Sequence, residues 1–222
     1  MEARSPPLFL HRIAHAGKTR LLGAALGTAV FAGALTGVQA AHADTPTDTT
    51  AATAQTQQAV KAQDVINLAL TQVGISENAA GGGTKFHQWY MASPRALETV
   101  ARDGGSVSAY ANAPWCAMFV SWVGEEAGAR PSVGWDAYTV THAKWFNDNQ
   151  RWGTTPKPGA VVFFGWNGGK RFDDIDHVGF VIQDNGNGTL KTIEGNTGNG
   201  KVEVRTRPTS QVVGYGYPDY AA

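Results

Sequence analysis

From Pro158 to Gly216 the chain is a series of short apolar runs, each closed by Gly, Asn or Asp. They are "AVVFF" (160–164), "HVGFVI" (177–182), "TLKTIE" (189–194), "KVEVRTR" (201–207), which is closed instead by Pro208, and "VVGYG" (212–216). Runs of this length, rich in β-branched and aromatic residues and separated by turn residues, predict antiparallel strands joined as hairpins. Upstream the period changes. Val65, Leu68, Ala69 and Val73 share one helical face, stopped by Gly74. The triplet Gly81-Gly82-Gly83 reads as a loop, and 84–97, with "KFHQWY", as a short helix or turn. A further helix is expected with Pro114 in its first turn, an apolar stripe of Cys116, Phe119, Val120, Val123 and Ala127, and a stop at Gly128. A weaker helix covers 138–149. Helices first and strands afterwards is an α+β order.

The first 43 residues differ from the rest. Arg4, Arg12, Lys18 and Arg20 make a basic start, 21–38 is uncharged and apolar, and Ala41-His42-Ala43 is a small-x-small cleavage pattern. This predicts a signal peptide over 1–43 and a mature start at Asp44. A retained membrane anchor is the rival, since the apolar run approaches spanning length. The tract 44–58, "DTPTDTTAATAQTQQ", has no apolar periodicity and reads as a disordered linker. The remainder, 59–222, is expected to be one domain. With 18 basic and 18 acidic residues the formal net charge is zero, which offers no electrostatic footprint for nucleic acid or an anionic membrane.

Export changes the meaning of Cys116, the only cysteine. In an oxidising compartment thiols usually pair, so an unpaired one is an intermolecular bridge, an inert core residue or a reactive group. Reactivity needs the thiolate, which a helix N-terminus stabilises, and a histidine to carry the proton. Six histidines are present, and His11, His15 and His42 fall in the signal. Of His87, His142 and His177, the last opens an apolar strand with Gly179 beside it on the same face, leaving room for a third group. With Asn185-Gly186 as a two-residue turn, the pairing sets His177 opposite Glu194. Glu194 and Asn196 share a face, and either is placed to accept Nδ1–H of His177. With Asn187-Gly188 as the turn, that register fails. Each residue alone has an ordinary reading, as core packing, strand end or turn chemistry; the combination does not.

The blocks "PWCAMFVSW" (114–122), "PGAVVFF" (158–164), "DHVGFVI" (176–182), "TIEGNT" (192–197) and "GYGYP" (214–218) resemble the CHAP family, the cysteine, histidine-dependent amidohydrolases/peptidases. The resemblance spans about 60–220. It implies a papain-like α+β fold with N-terminal helices packed on a small antiparallel sheet. It also implies Cys116 as nucleophile, His177 as base, Glu194 as third member and Asn196 as accessory polar group. The implied substrate is peptidoglycan, cut at N-acetylmuramoyl-L-alanine amides or at peptide bonds. Ala160 departs from the family, many members having an acidic residue there. Trp115, Trp166 and Trp89 are candidates for lining the substrate groove, each with packing as its rival. The oxyanion would take the Cys116 amide and a second donor sought in 110–115.

Neither HExxH, HxH nor CxxC occurs, and Asp173, Asp174 and Asp176 lack the spacing of a calcium loop. The expectation is therefore a secreted, cofactor-free, metal-free monomer acting at the cell wall, without nucleic-acid or membrane partners after signal removal. A protease or amidase on other substrates, and a non-catalytic wall-binding module, are the rivals.

Overall fold

The computed structural model describes residues 60–222. The expected signal (1–43) and linker (44–58) lie outside the described residues. Six α-helices precede the main strands: α1 (Ala62–Leu70), α2 (Lys85–Ala92), α3 (Pro94–Asp103), α4 (Cys116–Glu126), α5 (Arg130–Val133) and α6 (Thr139–Asp148). The strands are β1 (Trp152–Gly153), β2 (Val161–Phe164), β3 (His177–Asp184), β4 (Thr189–Thr197), β5 (Lys201–Pro208) and β6 (Val212–Gly216). All pairings are antiparallel, in the order β1-β6-β2-β3-β4-β5. The last strand thus inserts between β1 and β2, and β5 is an edge. This is the α+β architecture expected, with N-terminal helices packed on an antiparallel sheet.

The centre of the domain is α4. Its residues from Cys116 to Gly124 are all buried. The expected single stripe is corrected: a helix apolar all round sits inside a domain, here between the sheet and the other helices. One face of the sheet supplies Val161, Phe163, Val178, Phe180, Ile193 and Val202 to the core around α4. The other face carries a smaller cluster of Ala160, Val162, Phe164, Val181, Leu190, Val212 and Tyr215. Alternation puts His177 and Glu194 on this second face.

Other expectations shift locally. α1 ends at Leu70, so Val73 falls in the turn beyond and is 50% exposed instead of sharing the buried face. The segment 84–97 breaks into two helices at Ser93, because Pro94 takes the first position of α3 and cannot continue α2. Pro114 stands outside α4, whose N-cap is Trp115.

The β3–β4 connection follows neither expected turn. The Asn185 amide donates to the Thr189 carbonyl at 3.1 Å, which makes a longer loop. Asp184 pairs with Leu190, a bulge follows between Val181 and Gln183, and Phe180 pairs with Ile193. Continued one step, this register sets Gly179, not His177, opposite Glu194.

Candidate active site

Cys116 is the first residue of α4. Its own N–H has no intrahelical acceptor, because the first four amides of a helix have none. The side chain is 5% exposed and opens on a cavity of about 250 Å³. Tyr110, Pro114, Met118, Ala137 and Tyr138 make most of its apolar wall, and Asp176 is its one charged side chain.

The structure brings His177 and Glu194 together despite the corrected register. The imidazole Nε2 lies 2.9 Å from Glu194 Oε2, with both residues buried. Gly179 is the reason. A Cβ there would stand 2.7 Å from Glu194 Cγ and 2.7 Å from the Ile193 carbonyl oxygen. Without one, the Glu194 side chain crosses diagonally over β3 to reach the histidine. On the other side of β4, a Cβ on Gly195 would meet Phe119 and Trp115 at 2.5–2.8 Å. That glycine lets the start of α4 close on the strand carrying Glu194.

Every lone pair of the Glu194 carboxylate has a donor. Oε1 accepts from Thr192 Oγ1 at 2.6 Å and from Arg207 Nε at 3.0 Å. Oε2 accepts from His177 Nε2 and, at 2.6 Å, from Arg207 Nη2. Burial by itself would raise the Glu194 pKa; the hydrogen bonds from His177 and Arg207, the imidazolium charge and Thr192 override it and bring the value down to about 2. An ionised carboxylate only accepts, so Nε2 carries the proton. The expected use of Nδ1 is corrected: Nε2 is committed to Glu194, and Nδ1 remains for Cys116. Burial would lower the His177 pKa, but the hydrogen bond with Cys116, that with Glu194 and the charges of both raise it to about 9. The histidine is held as the imidazolium.

Trp166 covers this pair. It is 38% exposed, stacks on Phe164 at 5.5 Å and 12°, and lies 5.2 Å from the His177 ring. Its backbone amide donates to Asp176 Oδ2 at 2.8 Å.

Three expected contributors stand elsewhere. Trp115 is fully buried, donates Nε1–H to Glu77 at 2.8 Å and stacks on Phe86, so it shapes the entry to α4 and does not line the groove. Trp89 is half-buried, edge-on to Tyr90 at 6.1 Å, and is not in the cavity wall. Asn196 sits at the β4 bulge with φ 53° and makes no side-chain hydrogen bond among the described residues. The loop 110–115 offers neither Tyr110 nor Trp115 as a second oxyanion donor, since the Tyr110 hydroxyl goes to Thr99 at 2.8 Å and the indole to Glu77.

The other two histidines are structural. His87 Nε2 donates to the Ala113 carbonyl at 3.0 Å, bracing the loop that leads into Cys116. His142 Nε2 donates to the Val133 carbonyl at 2.7 Å. Burial pushes both pKa values down. The aspartates of the acidic loop are also engaged: Asp173 pairs with Lys144 at 3.3 Å and Asp174 accepts from the Arg171 amide at 2.9 Å. No metal-holding group of three or more His, Cys, Asp or Glu occurs among the described residues.

Sequence reasoning missed Arg207 and Thr192. Both lie on strands it found, and two-residue alternation places them on the face of Glu194, but nothing in a period says which charges pair.

The family profile described as "CHAP domain" matches residues 108–196. The matched segment holds Cys116, His177, Glu194 and Asn196. No curated protein matches the sequence.

Proposed function

Because the chain carries a CHAP domain, the module of cysteine/histidine amidohydrolases and peptidases, we propose that it is an exported hydrolase of peptidoglycan amide bonds, with Cys116 as nucleophile, His177 as proton carrier and Glu194 as its orienting partner. The observation that carries this reading is the buried 2.9 Å contact of His177 Nε2 with Glu194, which leaves Nδ1 to a cysteine at the start of a helix and at the wall of a cavity.

The chemistry follows from those atoms. The thiolate is the nucleophilic form of a cysteine, and the His177 imidazolium is the proton donor the reaction needs. Sγ attacks the amide carbon, and the carbonyl oxygen takes the charge near the Cys116 N–H. As the C–N bond breaks, His177 Nδ1 gives its proton to the departing amine. Water then adds to the thioester, Nδ1 takes one of its protons, and the C–S bond breaks to release a carboxylate and restore the thiolate. Glu194 stays ionised throughout and holds the ring. The largely apolar wall of the cavity beside Cys116 supports a substrate with short apolar side chains, such as the alanines of cell-wall peptides. The basic start, apolar run and Ala41-His42-Ala43 support export.

The test is digestion of purified peptidoglycan by wild type and Cys116→Ala, with mass analysis of the fragments. Release by wild type alone supports the reading. Free lactyl ends would mark an amidase and new peptide amines an endopeptidase. Equal release by both proteins would refute it.

A further inference from the structure

We propose that Arg207, on the edge strand β5 and outside the matched segment 108–196, is a positioning residue for the reaction: it fixes the Glu194 carboxylate in the orientation that presents Oε2 to His177, and packs Trp166 against the same imidazole. This rests on the hydrolase reading above.

The geometry is specific. Arg207 reaches both carboxylate oxygens, Nε to Oε1 at 3.0 Å and Nη2 to Oε2 at 2.6 Å. A planar fork on a planar carboxylate defines the rotation of both. Thr192 fills the second site on Oε1, so the site left on Oε2 belongs to His177. Nη2 also donates to Thr197 Oγ1 at 2.8 Å, which ties the guanidinium to β4 beyond the bulge. Its Cζ lies 4.8 Å over the Trp166 ring, the ring that lies 5.2 Å from His177. One cation therefore braces two of the groups that bound the imidazole.

The same strand provides its own control. Arg205 pairs with Glu203 at 3.0 Å, and both side chains are about a third exposed, at 39% and 32%. The Arg205 and Glu203 side chains bond to each other and not to Glu194. By contrast Arg207 is 16% exposed against a Glu194 that is fully buried. The charged and titratable groups acting on Glu194 are His177 from β3 and Arg207 from β5; Glu203 and Arg205 share its face on β5, and Cys116 from α4 acts on His177 from the other side.

Without the guanidinium, burial of Glu194 is opposed by His177 and Thr192 alone, and the carboxylate takes up a proton at higher pH. Removing an adjacent opposite charge moves a carboxylate by roughly 1–3 pH units. The protonated acid no longer supports the imidazolium, and the charged partner of Cys116 is lost with it. The experiment measures the rate of Cys116 alkylation by iodoacetamide against pH in the full chain, for wild type, Arg207→Gln, Arg207→Lys and Arg205→Gln. It also measures kcat and KM on soluble peptidoglycan fragments. The expected result is an acid limb raised by about one pH unit or more in Arg207→Gln, with kcat reduced and KM unchanged, since Arg207 is not in the cavity wall. Arg207→Lys keeps the wild-type acid limb, because it keeps the charge, and lowers kcat, because it loses the fork. Arg205→Gln behaves as wild type. Superimposable profiles for Arg207→Gln and wild type, or a loss carried by KM, overturn the proposal. If Arg207→Gln does not fold, Arg207→Lys decides: full kcat overturns it, lowered kcat with an unmoved acid limb supports it. A wild type that releases nothing from peptidoglycan refutes the hydrolase reading, and the alkylation profiles still judge Arg207.

Discussion

Glu194→Gln separates orientation from charge at the centre of the site. The amide keeps the shape of the carboxylate, so the oxygen can still accept from His177 Nε2. What disappears is the negative charge beside a buried imidazolium and the guanidinium of Arg207. His177 is held at about 9 by Cys116 and Glu194 against burial; without the carboxylate its pKa falls toward the ordinary value of about 6.5. A full return to that value takes the imidazolium at pH 7.5 from nearly complete to about one tenth, so the loss of the reactive ion pair is up to roughly tenfold, with Cys116 holding part of the rise. The assay is an NMR titration of the His177 ring in wild type and Glu194→Gln, with hydrolysis rates over the same range. The alkaline limb of the rate should move down with the ring's midpoint. A midpoint and an alkaline limb that stay in place in Glu194→Gln would refute the electrostatic role given to this residue.

Stability should follow the same pair. The His177 pKa is raised, to about 9, so its contribution is complete below about 6.5 and is lost as pH rises through 9. The Glu194 pKa is lowered, to about 2, so its contribution is complete above about 4.5 and is lost as pH falls through 2. The difference in Tm between wild type and Glu194→Gln is therefore greatest between about pH 4.5 and 6.5, where about 3 kcal/mol corresponds to roughly 6–12 °C; calorimetry across pH checks it, and a difference independent of pH would contradict it. Gly179→Ala puts a methyl 2.7 Å from Glu194 Cγ and should displace the carboxylate, lowering kcat by up to about tenfold while circular dichroism stays native; wild-type kcat would contradict the diagonal crossing. Asp136 is 2% exposed and takes Arg95 at 3.0 Å and Arg102 at 2.7 Å, while its backbone exchanges hydrogen bonds with Ser121 of α4. Asp136→Ala removes the shared partner of two guanidinium groups, which keep Glu98 and Asp103, and should destabilise by about 1.5–3 kcal/mol in denaturant titration; a change below about 1 kcal/mol would show the cluster to be loosely solvated.

The strands and the Cys–His–Glu grouping were legible because they rest on signals one chain contains: turn residues, period-two alternation and a lone cysteine at the start of a helix. The register was not. The bulge between Val181 and Gln183 is set by how β3 packs, and nothing local in "FVIQD" announces it. Glu194 still reaches His177 because Gly179 lets it cross, so the right partner follows from a different pairing. The choice of Nε2 over Nδ1 depends on the side of the ring that Glu194 approaches, a matter of three dimensions. Trp115 stands next to Cys116 in sequence yet points into the core toward Phe86 and Glu77, because neighbours at a helix start project in different directions. Arg207 belongs to a strand that looks like an ordinary charged edge, and only the folded sheet sets it apart from Arg205.

The proposed reaction passes through a thioester between Cys116 and the acyl half of a cell-wall amide. Rapid acid quench during turnover of soluble peptidoglycan fragments, followed by intact-mass and peptide analysis, tests it directly. A transient mass increase equal to the acyl fragment is expected, confined to the peptide carrying Cys116. Product accumulating with no adduct at any quench time, or an adduct on another residue, would contradict it.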